Sequence, residues 1–180
     1  MVPVPVVVPI LSGDGIRLRP FALGDVDAVM EVAADPVIPR LTTVPDRPDR
    51  DLAGAFVERQ HRRATSGEGL SWAIEDSGGS AAGQIGLWLR DLEQGRANIG
   101  YWLRPSVRGR GLATRALTTV VAWAWQTHDL HRLELHVEPD NVGSIRVAER
   151  VGFVPEGRLR SWLSIAGERR DVVLYALLRP

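Results

Sequence analysis

The run Arg108-Gly109-Arg110-Gly111-Leu112-Ala113 follows Leu103-Arg104-Pro105 and opens a stretch with apolar residues at 112, 113, 116, 117, 120, 121 and 124. That spacing of three and four predicts a helix packed against a sheet. The first amides of such a helix have no intrahelical acceptor and lie at the positive end of its dipole, so they suit an anion. Gly109 and Gly111 let a ligand approach the backbone closely, and Arg108 and Arg110 add positive charge. The chemistry this favours is binding of a pyrophosphate. No Gly-Lys-Ser/Thr follows, and the third glycine of a dinucleotide fingerprint is missing, which sets aside P-loop and Rossmann readings. Taken alone, the same residues also fit a flexible lead into an ordinary helix.

The elements that must position this loop follow from periodicity. Ile16–Pro20 alternates as a strand after the turn Gly13-Asp14-Gly15, and Asp25 reads as the N-cap of a helix that Asp35-Pro36 stops. Residues 36–48 read as a proline-rich loop, and 51–64 as a second helix. Strands at 70–75 and 82–89 flank the hairpin run 76–80, and 97–103 is a third member of the meander. Beyond the long helix, 132–138 alternates Leu133, Leu135 and Val137 against Glu134, His136 and Glu138, a strand with two distinct faces. Asn141 suits the N-cap of a helix over 142–151 that ends at Gly152, and 153–158 and 172–178 supply strands around an Ala166-Gly167 turn. The order implies one α/β (α+β) domain over 15–180, a mixed sheet of about six or seven strands with about four flanking helices. Residues 1–14 read as an extended apolar arm, packed on the body or on a second subunit, which leaves a homodimer open.

Composition narrows the class. Hydrophobic residues make up 44% and charged residues 24% of the 180, as in an ordinary globular domain. The 22 basic residues, all arginine, balance 22 acidic ones, so no bulk field favours nucleic acid, and the six tryptophans accompany no RNA-binding motif. With no cysteine, disulfides, thiolate metal sites and a cysteine nucleophile are excluded, and a reducing cytoplasm fits. The apolar run at 2–11 is broken by prolines and falls short of the roughly 20 residues of a membrane helix.

Arg108-x-x-Gly111-x-Ala113 matches the Q/R-x-x-G-x-G/A signature of the GNAT superfamily of N-acetyltransferases, in the expected setting between a strand and a long helix. Ile99-Gly100-Tyr101-Trp102-Leu103-Arg104-Pro105 and Asn141-x-x-Ser144-x-Arg146-Val147-Ala148-Glu149-Arg150-Val151-Gly152-Phe153 resemble its RimJ/RimL branch, which acetylates protein N-termini.

The resemblance implies acetyl-CoA as cofactor, with no metal. The strand near 99–103 would carry a bulge and splay from its parallel neighbour near 133–138, with the pantetheine arm in the gap. Amides near Trp102 and Leu103 would hold the acetyl carbonyl, with Arg104 beside them. Arg108, Gly109, Arg110, Gly111, Leu112, Ala113 and Thr114 would cradle the pyrophosphate, and Asn141 would bond the pantetheine arm. His136 is the candidate base, since histidine titrates near neutrality. Many family members carry an acidic tyrosine seven residues after the asparagine; here that position is Ala148, and Ser144 is the alternative proton donor. The expected acceptor is a primary amine, foremost a protein N-terminus, whose reference pKa near 8 lies below that of lysine. A small-molecule amine acetyltransferase and a non-catalytic CoA-binding domain are the other readings.

Overall fold

Apolar strands build one sheet, alternating in burial at β2 and β6 and buried almost throughout at its centre, in the computed structural model, which describes residues 7–165 and 167–180. Strand β1 (Leu11–Gly13) turns into β2 (Ile16–Arg19), and helices α1 (Val26–Ala33), α2 (Ile38–Leu41) and α3 (Arg50–Thr65) follow. Next come β3 (Gly69–Glu75), β4 (Ala81–Trp88) and β5 (Arg96–Leu103), then α4 (Leu112–Thr127), β6 (Arg132–Val137), α5 (Val142–Val151), β7 (Val154–Ile165) and β8 (Glu168–Leu178). The sheet order is β1-β2-β3-β4-β5-β6-β8-β7. Among the described residues only β5 and β6 pair in parallel, because α4 carries the chain back across one face before β6 begins.

Helices α4 and α5 bury Leu117, Val120, Ala124 and Ala148 against Ile85, Ile99, Leu133 and Leu135 on one face. Helices α1 and α3 bury Val29, Phe56 and Val57 against Ala73, Ala81 and Trp102 on the other. Each such large apolar side chain contributes about 1.5–3 kcal/mol on burial, so the two layers fix the sheet between them. A buried polar chain crosses the second layer: the Trp102 indole donates to Gln84 Oε1 at 2.7 Å, and Gln84 Nε2 donates to Gln60 and Ser71. This satisfies the polar atoms that Trp102 and Gln84 bring into the core.

The architecture is the expected mixed sheet, with eight strands rather than about six or seven and five α-helices rather than about four among the described residues. The additional strand is β1, and it lies in the segment expected to be an arm: Val8 is buried, and Pro9 O accepts from the Trp72 indole at 2.7 Å. The rest of that arm, 1–6, and Ala166 of the last hairpin lie outside the described residues. Helix α2 is a single turn inside the proline-rich loop, set by Asp35 Oδ1, which accepts from the amides of Val37 and Ile38. Strands β7 and β8 run well past 158 and begin before 172, because a register shift in β7 breaks the alternation on which strand reading depends.

Asp25 departs from its expected part. Its side chain does not cap α1; it accepts from Ala22 N at 2.8 Å and takes a two-point grip from Arg19 at 2.7 and 2.8 Å. It also accepts from Ala81 N, so one carboxylate ties β2, the turn before α1 and the start of β4 together. Burial alone would raise its pKa, but the Arg19 and Ala22 hydrogen bonds outweigh this and hold it below the usual carboxylate value. A depressed folded pKa stabilises above the unfolded value near 4, and the contribution is lost as pH falls through the folded pKa. Asp25→Ala should lower stability by about 2 kcal/mol in urea melts at neutral pH, since it removes the two-point grip on Arg19 and leaves the Ala22 and Ala81 amides without their acceptor while Glu75 still holds the guanidinium, with a smaller loss in acid.

Candidate active site

The parallel pair β5 and β6 stays in register for only a short stretch, Arg96↔Arg132, Ala97↔Leu133 and Asn98↔Glu134, and then parts. From Ile99 to Leu103, β5 remains paired with β4 through Gly83↔Leu103, while β6 remains paired with β8 through Val137↔Val173. A wedge therefore opens inside the sheet without either strand losing its outer partner. The register of β4 with β5 is unbroken, so no bulge of β5 accompanies the opening, contrary to expectation.

Amides on the two sides of the wedge are unequal. Arg104 N donates to Ala82 O of β4 at 2.9 Å. Because successive amides of a strand point to opposite edges, those of Trp102 and Gly100 also face β4, and those of Tyr101 and Leu103 face the wedge. The Trp102 side chain is buried against Phe56 with a ring separation of 6.2 Å, so it anchors β5 to α3.

At the open end of the wedge, the chain reaches α4 through Gly109 and Gly111, whose φ values of 78° and 73° are left-handed and favour glycine. Both have open space where a Cβ would stand. Arg115 N, bonded to Gly111 O, is the first amide of α4 with a partner. Among the described residues, no backbone or side-chain acceptor meets the amides of Gly109, Arg110, Gly111, Leu112, Ala113 and Thr114. Backbone curvature and the helix dipole converge here on a cradle of unsatisfied donors, which fits a diphosphate.

The arginines divide their duties. Arg104 binds Glu31 at 3.2 Å and Asp76 at 2.8 Å, and Arg108 binds Asp35 at 2.8 Å and Leu103 O at 3.3 Å. Their charge is thus met by carboxylates, and they fasten the loop to α1, to the turn after it and to the end of β5. Asp35 would be raised by burial, but the Ile38 and Val37 amides and Arg108 hold it low and charged. Arg110 reaches only Ser106 O, at 3.2 Å, and its charge is met by no carboxylate among the described residues.

His136 lies on β6 just past the last paired residue, half-buried on the face away from α4 and α5. Asn98, at the apex of the wedge, places Nδ2 at 3.0 Å from His136 Nδ1. With the amide so oriented, Asn98 donates and the ring proton sits on Nε2. With the amide turned over, Nδ1–H donates to Asn98 Oδ1 and Nε2 becomes a free acceptor, the form a base requires. Trp162 of β7 covers the ring at 5.9 Å between centroids. Burial pushes the His136 pKa below its ordinary value, against an upward pull from Glu134.

Across the wedge, Asn141 caps α5 by accepting from Ser144 N at 3.1 Å, which leaves its amide nitrogen unengaged by that bond. Tyr101 projects from β5 to the first turn of α5, where its hydroxyl donates to Ser144 O at 3.3 Å. Burial drives its pKa up to about 12, so the phenol stays protonated at any physiological pH. Ala148 is fully buried in the core. The fold brings Leu103, Asn141, Ser144 and His136 around one opening, together with Trp162, whose stretch to Asp171 sequence reading makes a candidate acceptor surface; it also brings Asn98 and Tyr101, which sequence reading did not assign. Tyr101 and Asn98 lay in or beside the Ile99–Pro105 phrase, but only the β5–β6 register reveals what they face.

A model of the acetyltransferase (GNAT) domain matches residues 16–154, and the chain belongs to this family of N-acetyltransferases. An N-acetyltransferase named p20 from Bacillus licheniformis is 27% identical over 94% of this chain and 96% of its own length. An Escherichia coli [ribosomal protein uS5]-alanine N-acetyltransferase is 35% identical over 46% of this chain and 42% of its own length. A spermidine N(1)-acetyltransferase from the same organism is 28% identical over 59% and 57%. Among solved structures, Mycobacterium smegmatis RimJ in complex with CoA-disulfide superposes with a TM-score of 0.76 at 26% identity, covering 95% of this chain and 86% of that one.

The neighbours of His136 set its titration. In NMR spectra, the His136 ring should titrate below the free-histidine value of about 6.5, and Asn98→Asp should move the midpoint above it, because a carboxylate at Nδ1 favours the imidazolium.

Proposed function

We propose that this chain transfers an acetyl group from acetyl-CoA to the α-amino group of a protein or peptide. The observation that carries the reading is the row of unpartnered amides from Gly109 to Thr114 at the mouth of the β5–β6 wedge. A diphosphate binds such a row through backbone donors alone, and the wedge beyond it offers strand amides to an amide-bearing arm without exposing a sheet edge. Acetyl-CoA supplies an activated thioester there. The solved structures that share this fold include complexes with CoA or acetyl-CoA, which supports the cofactor.

In this reading, the Gly109–Thr114 amides and Arg110 hold the diphosphate, and Asn141 bonds the arm with the half of its amide not used in capping. The Leu103 amide, which faces the wedge, stabilises negative charge growing on the acetyl oxygen; a donor so placed is worth about 3–4 kcal/mol in the transition state. His136 takes the proton of the attacking amine through Nε2, while Asn98 Oδ1 holds the proton on Nδ1. The departing sulfur takes its proton from the Ser144 hydroxyl on the α5 side, whose backbone Tyr101 steadies by donating to Ser144 O. An imidazole with a lowered pKa is a weak base, which suits an α-amine better than a lysine side chain.

The matches to a ribosomal-protein acetyltransferase support the protein acceptor, and the spermidine acetyltransferase match supports a small amine as the second reading. A cytoplasmic setting accords with the absence of cysteine. No described helix is long and apolar enough to cross a membrane.

Two variants at one position isolate the diphosphate contact, since Asp and Asn both accept the left-handed backbone of Gly111 and differ only in charge. Titrated by calorimetry, wild type should bind acetyl-CoA with micromolar affinity, and Gly111→Asp should bind at least about tenfold more weakly than Gly111→Asn. Equal binding by the two variants counts against the site. His136→Gln should lower kcat by about 10²–10⁴ with acetyl-CoA affinity retained, and a smaller loss would remove His136 from the proton path.

A further inference from the structure

Strand β7 does not run straight past the wedge. Leu159 pairs with Val172 and Leu163 with Arg170, so Arg160, Ser161 and Trp162 stand opposite Asp171 alone. Ser161 takes a left-handed φ of 55°, a strained conformation for a serine. The distortion is held from both sides. Asp171 Oδ1 accepts from Ser161 N at 2.7 Å, Asp171 Oδ2 accepts from Arg158 Nε at 2.8 Å, and Arg169 Nε donates to Ser161 Oγ at 3.2 Å.

The product of this bulge is the placement of one side chain. Trp162 is turned onto the His136 ring, tilted by 43°, yet it is 53% exposed and fills no core. An indole so placed presents a wide apolar face, rich in π electrons, beside the imidazole. Strain that a fold maintains beside a functional group points to a ligand that uses it.

The charges around this face restrict what the ligand is. The carboxylates nearest the indole are already met by arginines: Glu134 and Glu156 by Arg132, Asp171 by Arg158, and Glu138, just past β6, by Arg170, while Glu168 at the start of β8 stays exposed, 4.0 Å from Arg170. One amine can sit against His136, Asn98 and the indole, but a second or third ammonium group finds on these strands only Glu168, at the hairpin end of β8, free of an arginine hydrogen bond.

Resting on the acetyl-transfer reading above, we propose that Trp162 is the acceptor-specificity residue: it seats the first residue of a peptide beside His136 and selects acceptors with a single amine over polyamines. The acceptor's first side chain lies on the indole, and its amine, held over the ring edge, meets His136.

The test uses wild type, Trp162→Ala and Trp162→Phe with acetyl-CoA, a panel of peptides with free N-termini that differ in the first residue, and spermidine. Trp162 is exposed on an outer strand, so the variants should keep the melting temperature of wild type. The expected result for Trp162→Ala is a rise of about tenfold or more in KM for peptides, with the effect on KM rather than kcat and with KM for acetyl-CoA unchanged. Trp162→Phe should recover most of the loss, and wild type should prefer peptides to spermidine. An unchanged peptide KM in Trp162→Ala, a preference for spermidine, or acetyl-CoA binding by wild type with no peptide acetylated each overturns the proposal. Failure of wild type to bind acetyl-CoA in calorimetry is a different result, which overturns the acetyl-transfer reading itself.

Discussion

The parting of β5 from β6 after Asn98 and Glu134 is the constraint on which the site depends. A gap inside a sheet ordinarily leaves amides and carbonyls unsatisfied, at a cost comparable to a lost hydrogen bond for each buried group. Here each strand keeps its other neighbour, β4 for β5 and β8 for β6, so the opening is confined to one seam. The two strands are tied into different parts of the molecule. Trp102 sinks into the α1 and α3 layer through Phe56 and Gln84, whereas Leu135 and Val137 sink into the α4 and α5 layer. The opening is therefore held by packing on both faces of the sheet.

The groups to which the proposed reaction gives roles are arranged along that seam. The apex holds the Asn98–His136 pair, one wall offers the Leu103 amide, the other offers Asn141 and Ser144, and the mouth holds the glycine-bounded amides before α4. Arg108 contributes by joining the mouth to the segment after α1: its partner Asp35 also sets the first turn of α2. A residue that reads in sequence as a charge for an anion works in the fold mainly as a fastener. Its replacement disturbs the shape of the loop as well as its potential.

Most of the fold was legible because the periods were clean. The α4 spacing, the β6 alternation and the α5 cap and stop at Asn141 and Gly152 each state their element without help from distant residues. What stayed hidden depends on pairing across the sheet. Asn98 meets His136 only because β5 and β6 stay in register up to Glu134, and no local pattern encodes that partner. Tyr101 likewise shows its direction only once α5 lies opposite. Asp25 looked like a helix cap because aspartate before an apolar run usually is one; the competing fork of Arg19 won instead, together with the Ala81 amide 56 residues further along the chain. The bulge of β7 erased the very alternation by which a strand is read.

That bulge bears on a different property of the molecule. Strand β7 is the last of the sheet, 12 residues long, and a straight strand of that length would present an unbroken row of free backbone donors and acceptors to any other chain. The opposite border, β1, is only 3 residues long and offers little to pair with. The distortion at Arg160–Trp162 interrupts the long border, and the arginines at 158 and 160 add charge beside it. The irregularity that turns an indole onto His136 is thus also a guard against the growth of one sheet onto another. Straightening β7 would at once move the indole off His136 and reopen the edge.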